Sequence, residues 1–511
     1  MRKVILFVCL VCISTGIAIA QNPYEAANFA TSDLNGTARF VGMGGALSAL
    51  GGDISTVSTN PAGTGMFSKS EISLSASAVI SGVDGVLGGN TSKASFDQTG
   101  IIVAMPTENS ALNGMTFGLN ISKKKNFFGN VDTDIFGLDG LFSQTHQIAD
   151  MATDAYLSDC WDGALADMSA PIFDDDDKLV RPGIINEVWL TDDYGFDYMA
   201  GYQGIGAKAA HYQRSTYGSI MDIDMNFAIN LKNQYFFGAT LGVYDVESRR
   251  SSKYEELGTD GAYFDFNNYY DTKGSGFDLK LGAIIRPFDY SPFRIGLFIH
   301  TPTWYNLEDI NGSTLFLNDD YLSGKDYDPY EYKLRTPWKF GISAGTTVGN
   351  YFAFGVEYEY QDLSSCKYSE RYRSGNEYFR YQNEMMKTIL RGQHTLKLGM
   401  EAKPADNVSV RCGYNYVSAP MKSEGYNILG FDGVMTETDY TNWKDTNRFT
   451  FGLGFRFNGG YFDLTYQYST QKGDFYAFQN VYYKGDPGNL LPPTEIKNNR
   501  SQILGTLGFR F

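Results

Sequence analysis

From Met221 to Asn230 the chain alternates strictly. Met221, Ile223, Met225, Phe227 and Ile229 fall on one side, and Asp222, Asp224, Asn226 and Asn230 on the other, with small Ala228 among them. A period of two predicts a strand whose faces meet different surroundings. About fourteen segments carry this pattern: 71–80, 96–105, 114–123, 219–230, 234–247, 274–286, 293–301, 335–347, 351–362, 393–403, 408–418, 446–458, 460–471 and 501–511. The connections alternate in length. Short ones are Lys232-Asn233, Pro287 to Pro292, Gly349-Asn350, Pro404 to Asn407 and Gly459, all turn residues by composition. Long ones are 81–95, 124–218, 248–273, 302–334, 363–392, 419–445 and 472–500. Outer-membrane barrels combine an even strand count with short periplasmic turns and long extracellular loops. Counted back from the C-terminus, every connection has the parity that this topology demands. The predicted fold is all-β: a transmembrane antiparallel β-barrel of about 14 strands.

Composition agrees with that reading. The chain of 511 residues holds 36 Tyr, 36 Phe and 56 Gly. Barrels place aromatic rings in interface girdles and glycine where strands crowd or bend. Beyond residue 20 no run reaches the roughly 18 apolar residues of a spanning helix, so membrane insertion is expected through strands. In the last strand Ile503, Gly505, Leu507, Phe509 and Phe511 alternate with Leu504, Thr506, Gly508 and Arg510. A terminal Phe in such a strand resembles the signal read by the outer-membrane assembly machinery.

The N-terminus predicts export. Arg2 and Lys3 precede the uncharged stretch Val4 to Ala20, which ends in Ala18-Ile19-Ala20. These are the parts of a signal peptide, with the mature chain expected to begin near Gln21 and to reside in the outer membrane of a Gram-negative cell. Its removal would change the net charge from −16 to −18, since it carries two positive and no acidic residues. So acidic a chain is not expected to bind nucleic acid. Cys160, Cys366 and Cys412 would remain, too few and too far apart for a disulfide framework, though a Cys160–Cys366 bridge between loops stays open.

Residues 21–70 differ in kind from the barrel at 71–511. They contain Ala38-Arg39-Phe40-Val41-Gly42-Met43-Gly44-Gly45-Ala46, then Gly51-Gly52-Asp53, then Asn60-Pro61-Ala62-Gly63. The glycines around Gly44 lack the strand, the Lys-Ser/Thr pair and the spacing of a nucleotide-binding loop. Small residues let a backbone pack in a confined space, which suits a plug within the lumen. Asn60 has an amide able to satisfy several buried backbone groups.

The order Gly-Met-Gly-Gly-Ala, Asp53, Asn60-Pro61-Ala62-Gly63, then a first strand resembles the FadL-like long-chain fatty-acid outer-membrane transporters. That resemblance implies a fourteen-stranded barrel with an N-terminal hatch bearing an Asn-Pro-Ala motif. It implies passive transport of fatty acids or similar hydrophobic compounds, with hatch movement opening a route sideways through the wall near a kinked third strand. Carried onto this chain, the gate comprises Gly42, Gly44, Gly45, Asp53, Asn60, Pro61, Ala62 and Gly63. Gly114 and Gly118, inside the third strand, are candidates for the lateral opening. Lys123, Lys124 and Lys125 are candidates for contact with an anionic head group. Thr336-Pro337-Trp338-Lys339-Phe340, opening a strand, is also similar to the family.

Other readings were weighed. An enzyme would show a nucleophile elbow or a metal-binding His-Glu-x-x-His run; the chain has no such His run, and its one Gly-x-Ser-x-Gly match, Gly341 to Gly345, falls inside the expected strand 335–347 rather than at a strand-to-helix turn. No catalytic residue, metal or cofactor is therefore assigned. His146, His211, His300 and His394 are scattered and give no haem signature, leaving a haem-type receptor as an alternative. An open porin has no use for a glycine-rich preface, while adhesion through the loops stays compatible with transport. Asp174 to Asp177 read as a solvated loop. The 124–218 segment is too long for a plain loop and is expected to fold over the mouth or enter the lumen. A monomer in contact with outer-membrane lipid and lipopolysaccharide is expected.

Overall fold

The computed structural model describes residues 21–84, 91–107, 111–135, 138, 143–158, 172–173, 179–181, 185–259, 261–371, 379–427, 439–478 and 492–511. The expected signal peptide at 1–20, Cys160 and the Asp174–Asp177 run lie outside them. Fourteen strands make one closed antiparallel barrel. They are β1 Glu71–Asp84, β2 Thr91–Pro106, β3 Leu112–Asn126, β4 Ala207–Leu231, β5 Tyr235–Gly258, β6 Tyr263–Ile285, β7 Arg294–His300, β8 Lys339–Val348, β9 Phe352–Asp362, β10 Gly392–Ala405, β11 Val408–Val417, β12 Tyr440–Phe457, β13 Gly460–Tyr476 and β14 Thr494–Arg510. Closure comes from β1 against β14, with Ile72 opposite Phe509 and Ala78 opposite Ile503. A closed sheet has no free edge to aggregate or to leave unpaired in hydrocarbon. The tight turns fall where the residues called for them: Lys232 and Asn233 sit at φ 56° and 53°, Gly349 at 55° and Gly459 at 79°.

Side-chain placement changes along the strands. On β6, Phe277, Leu279 and Leu281 are exposed on the outer face while Asp278 and Lys280 are buried in the lumen. This is inside-out for a soluble protein and correct for one wrapped in hydrocarbon. Toward the long-loop end the same strand inverts: Phe264, Phe266 and Tyr270 turn inward and buried, and Tyr269 is exposed opposite them. On β5, Phe237, Leu241 and Val243 face out at one end, whereas Tyr244, Val246 and Tyr254 are buried toward the other. Each long strand thus passes from a lipid-facing half to a water-facing half. Two apolar clusters fill the second half.

The inversion explains where the sequence-based boundaries fall short. Segments expected at 219–230, 234–247 and 274–286 are strands at Ala207–Leu231, Tyr235–Gly258 and Tyr263–Ile285. Beyond the apolar belt the polar face moves outside, and a single alternation rule loses phase. The expected long loops likewise carry structure. Gly129–Ile135 pairs with β4, Trp304–Leu317 with β6, and Tyr330–Arg335 with Trp304–Leu317. Two helices in these loops were not expected, one at Gln144–Ser158 and one at Arg380–Ile389. The first buries Ile148, Ala149 and Ala152, the second Met385, Met386 and Ile389. Among the described side chains each offers three core residues within a polar segment, a brief helical period.

Candidate functional site

The N-terminal segment folds as short capped pieces because its frequent glycines, with Pro61, interrupt any long helix. Helix α1 spans Pro23–Ala30 and α2 spans Ala38–Gly42; two 3-10 turns follow at Ile54–Ser58 and Pro61–Met66. Each starts on a polar cap. Asn22 accepts from Glu25 N, Thr37 from Phe40 N, Asp53 from Ser55 N and Asn60 from Ala62 N, at 2.9, 3.0, 3.0 and 3.2 Å. Asp53 also accepts from Thr37 Oγ1 at 2.8 Å, which ties α2 to the first 3-10 turn. Asn60, wholly buried, donates from Nδ2 to Ser48 O at 3.1 Å. The motif residues picked from sequence therefore meet inside the barrel. Gly44 and Gly45 stand at φ 61° and 82°, turning the chain where a side chain would be strained.

What receives this plug is a set of wall glycines that the sequence reading did not single out. Gly345, Gly355, Gly399 and Gly413 are directly paired across β8, β9, β10 and β11. Gly238 and Gly282 are paired across β5 and β6. On the first row lie Leu50, Ala46 O, Met43 O and Gly44 N; on the second lie Asn60 and Pro61. A β-carbon at Gly282 would overlap Asn60 Oδ1, and one at Gly413 would overlap Gly44 N. The plug backbone rests directly on the wall backbone. One glycine at a similar depth in successive strands was the available signal.

Three buried charge clusters complete the seat, and each meets the plug through one residue. Arg411 bonds Glu401 and Asp463 at 2.7 Å each, and Arg39 of α2 joins through Glu401 at 3.2 Å. Lys397 pairs with Glu357 and Glu359 at 2.8 and 2.7 Å, and Ser48 N donates to Glu357 at 3.3 Å. Lys280 pairs with Asp222 and Asp224 at 2.9 and 2.5 Å, and Ser58 Oγ donates to Asp224 at 2.6 Å. Removing one partner of such a buried pair strands the other, at about 3–5 kcal/mol.

Helix α1 lies higher, within the apolar cluster of the long-loop half. Ala26, Ala27, Phe29 and Ala30 are buried among Tyr244, Tyr305, Tyr332, Tyr368 and Met386. The expected hatch of residues 21–70 thus has two parts, a lumen plug and a helix filling the chamber above it. Between them is a cavity of about 440 Å³. Lys123, Lys124 and Lys125 line it together with Lys339 and Arg448. Lys123 Nζ is 2.6 Å from Ser95 Oγ, and Lys125 Nζ donates to Asn28 O at 2.7 Å, so both also serve structure. Lys124 Nζ sits 4.2 Å above the Tyr244 ring.

Between β2 and β3 the wall carries a seam. The β2–β3 ladder runs from Pro106 opposite Gly114 to Gln98 opposite Ser122 and stops there. Beyond that, Ser92 to Phe96 of β2 pair only with β1, while Lys123, Lys125 and Asn126 of β3 pair only with β4. Register shifts mark both lips, at Phe96/Gln98 on β2 and at Lys123/Lys125 on β3. Gly114 and Gly118 lie within the paired stretch. A β-carbon at Gly118 would come within 2.7 Å of Ile102 Cδ1, so this glycine makes room for the Ile102 side chain, which packs against Ile54 and Val57 of the plug. Cys366 is buried as a free thiol. Among the described residues no group of His, Cys, Asp or Glu is arranged to hold a metal ion.

No family model matches the chain, and no curated protein matches it. Solved structures do. A Pseudomonas aeruginosa FadL homologue aligns with a TM-score of 0.53 at 12% identity, covering 94% of this chain and 100% of its own. The CymD monoaromatic hydrocarbon channel aligns at 0.49 and 10% identity, over 95% and 98% of the two chains. The P. putida toluene transporter TodX aligns at 0.49 and 12%, over 94% and 99%. The likeness to the first establishes a shared fold: a plugged fourteen-stranded barrel of FadL type.

Proposed function

We propose that this chain is an outer-membrane channel for hydrophobic or amphiphilic compounds. The observation that carries the reading is the double inversion of the wall. A lipid-facing belt encloses a polar, plugged lumen, and above it the strands enclose an apolar chamber. An open porin needs neither plug nor apolar chamber. A compound entering that chamber meets α1 first and the basic cavity next. Lys124 and Lys339 suit an acidic head group such as a fatty-acid carboxylate. The plug blocks passage straight through, so the seam between β2 and β3 is the way out, into the bilayer. Displacement of the Asn60-Pro61-Ala62-Gly63 turn and of the Gly42–Gly45 bend is the gating step, with diffusion down a gradient as the drive. The same proposal holds that the long loops face outward amid lipopolysaccharide, that the strand ending in Phe511 is read during assembly, and that the barrel works as a monomer.

Native mass spectrometry of the detergent-purified protein, followed by lipid extraction, tests this. Wild type should carry apolar or amphiphilic molecules, and Asn60→Ala should change their amount. Empty preparations of both proteins, with free ion conduction by wild type in bilayers, would overturn the proposal in favour of a porin.

A further inference from the structure

The seam lacks strand pairing, yet it is not open. Segment Asp33–Asn35, between α1 and α2, lies along it. Asp33 N donates to Lys124 O at 2.9 Å, and Asn126 N donates to Asp33 Oδ2 at 3.1 Å. Asn35 Nδ2 donates to Lys123 O at 3.1 Å and to Asp97 Oδ1, also at 3.1 Å. One amide therefore grips both lips, since Lys123 belongs to β3 and Asp97 to β2. Asp33 is fixed from behind by Arg500 of β14 at 3.1 Å. An unpaired strand edge is costly in apolar surroundings and seeks a partner. Here the plug supplies it.

We infer that Asp33 and Asn35 are the positioning residues that latch the lateral seam, so that plug displacement and wall opening are one event. The inference rests on the proposed lateral route. With Asp33–Asn35 lifted away, side-chain ties remain between the lips. Lys123 Nζ reaches Ser95 Oγ at 2.6 Å, and Lys93 Nζ lies 5.5 Å from the Phe128 ring and 5.9 Å from the Tyr217 ring. Both ties rest on flexible lysines, whereas Asp33 and Asn35 make three hydrogen bonds along the β3 lip and, through Asn35, a fourth to Asp97 on the β2 lip. The latch also sits beside the two register shifts, and Asp33 and Asn35 help to line the cavity.

The test uses the full-length protein with Cys160, Cys366 and Cys412 replaced by alanine, and Lys123→Cys as a reporter on the β3 lip. A membrane-impermeant thiol reagent reads seam opening without any transported compound. Asn35→Ala should raise the labelling rate about tenfold, the consequence of losing a half-buried amide that makes two hydrogen bonds. It should also speed entry of a fluorescent long-chain fatty acid into liposomes. A second variant, Ser95→Cys with Lys123→Cys, should stop that entry when oxidised and restore it when reduced. Unchanged labelling in Asn35→Ala, in protein that keeps the heat-modifiable mobility of a folded barrel, would overturn the latch. So would undiminished entry through an oxidised seam. Raised labelling in a protein that carries no fatty acid would uphold the latch and sink the proposed substrate class instead.

Discussion

Asn60 shows how much one side chain holds when its surroundings lack room. Its Oδ1 caps the Pro61–Met66 turn, its Nδ2 holds Ser48 O, and Gly282 has no side chain so that the amide fits. Asn60→Ala should weaken plug seating by about 1–3 kcal/mol, the cost of buried groups left unpaired. Gly282→Ala should act on the same contact from the wall. The double variant should therefore cost less than the two single costs added together, which is the mark of one shared contact. Hydrogen exchange over residues 42–66 measures it; full additivity would separate the two positions. A second residue-scale case lies beyond the apolar belt, where Gln21 donates to Asp309 at 2.7 Å. Burial raises the Asp309 carboxyl to about 6, although Tyr270, Thr272 and Gln21 donate to it. A carboxyl raised on folding takes up protons relative to the unfolded chain, so stability is fully present below the ordinary carboxyl range and falls as pH rises toward 6. Asp309→Asn should flatten that slope, as urea unfolding at pH 4 and pH 7 would reveal. A slope unchanged by the substitution would assign it to another group.

At the scale of the strand, surroundings rather than alternation decide what a substitution costs. Leu279 of β6 faces out within the apolar belt, and Ser251 of β5 faces out beyond it. Leu279→Arg should cost about 2–4 kcal/mol in a bilayer, the penalty for a cation on the lipid face near the midplane. Ser251→Arg should stay within about 0.5 kcal/mol, as an ordinary surface change does. Reversible unfolding from lipid vesicles compares the two. Equal costs would mean that the belt ends elsewhere. Helix α1 follows the same logic from within. Its alanines let it lie close among tyrosines, and Phe29 supplies its largest apolar contact.

At the scale of the molecule, barrel and plug are separate in stability and joined in function. The β1–β14 closure uses no plug residue, so a chain lacking residues 21–70 should still form a barrel. That barrel should conduct ions in planar bilayers at a level far above the intact protein, because the lumen wall is polar. Conductance unchanged by the deletion would mean that the long-loop half seals the lumen by itself.

Much of this was legible in the chain. Alternation, turn residues and the parity of connections determined a closed barrel and the place of nearly every lipid-facing strand, because hydrocarbon imposes one rule on each outward residue. The short motifs at Gly42–Gly45 and Asn60–Gly63 determined where the chain bends inside. Tertiary structure alone decided the rest. Gly355, Gly399 and Gly413 read as strand glycines until their pairing sets them in one row beneath the plug. Lys123 to Lys125 read as a free basic rim until Ser95, Tyr305, Asn28 and Thr31 take all three. The seam lies above Ser122 rather than at Gly114 or Gly118, since ladder ends depend on both strands and on what the plug offers in their place. Contacts of that kind join residues tens to hundreds of positions apart, and a one-dimensional pattern carries no trace of them.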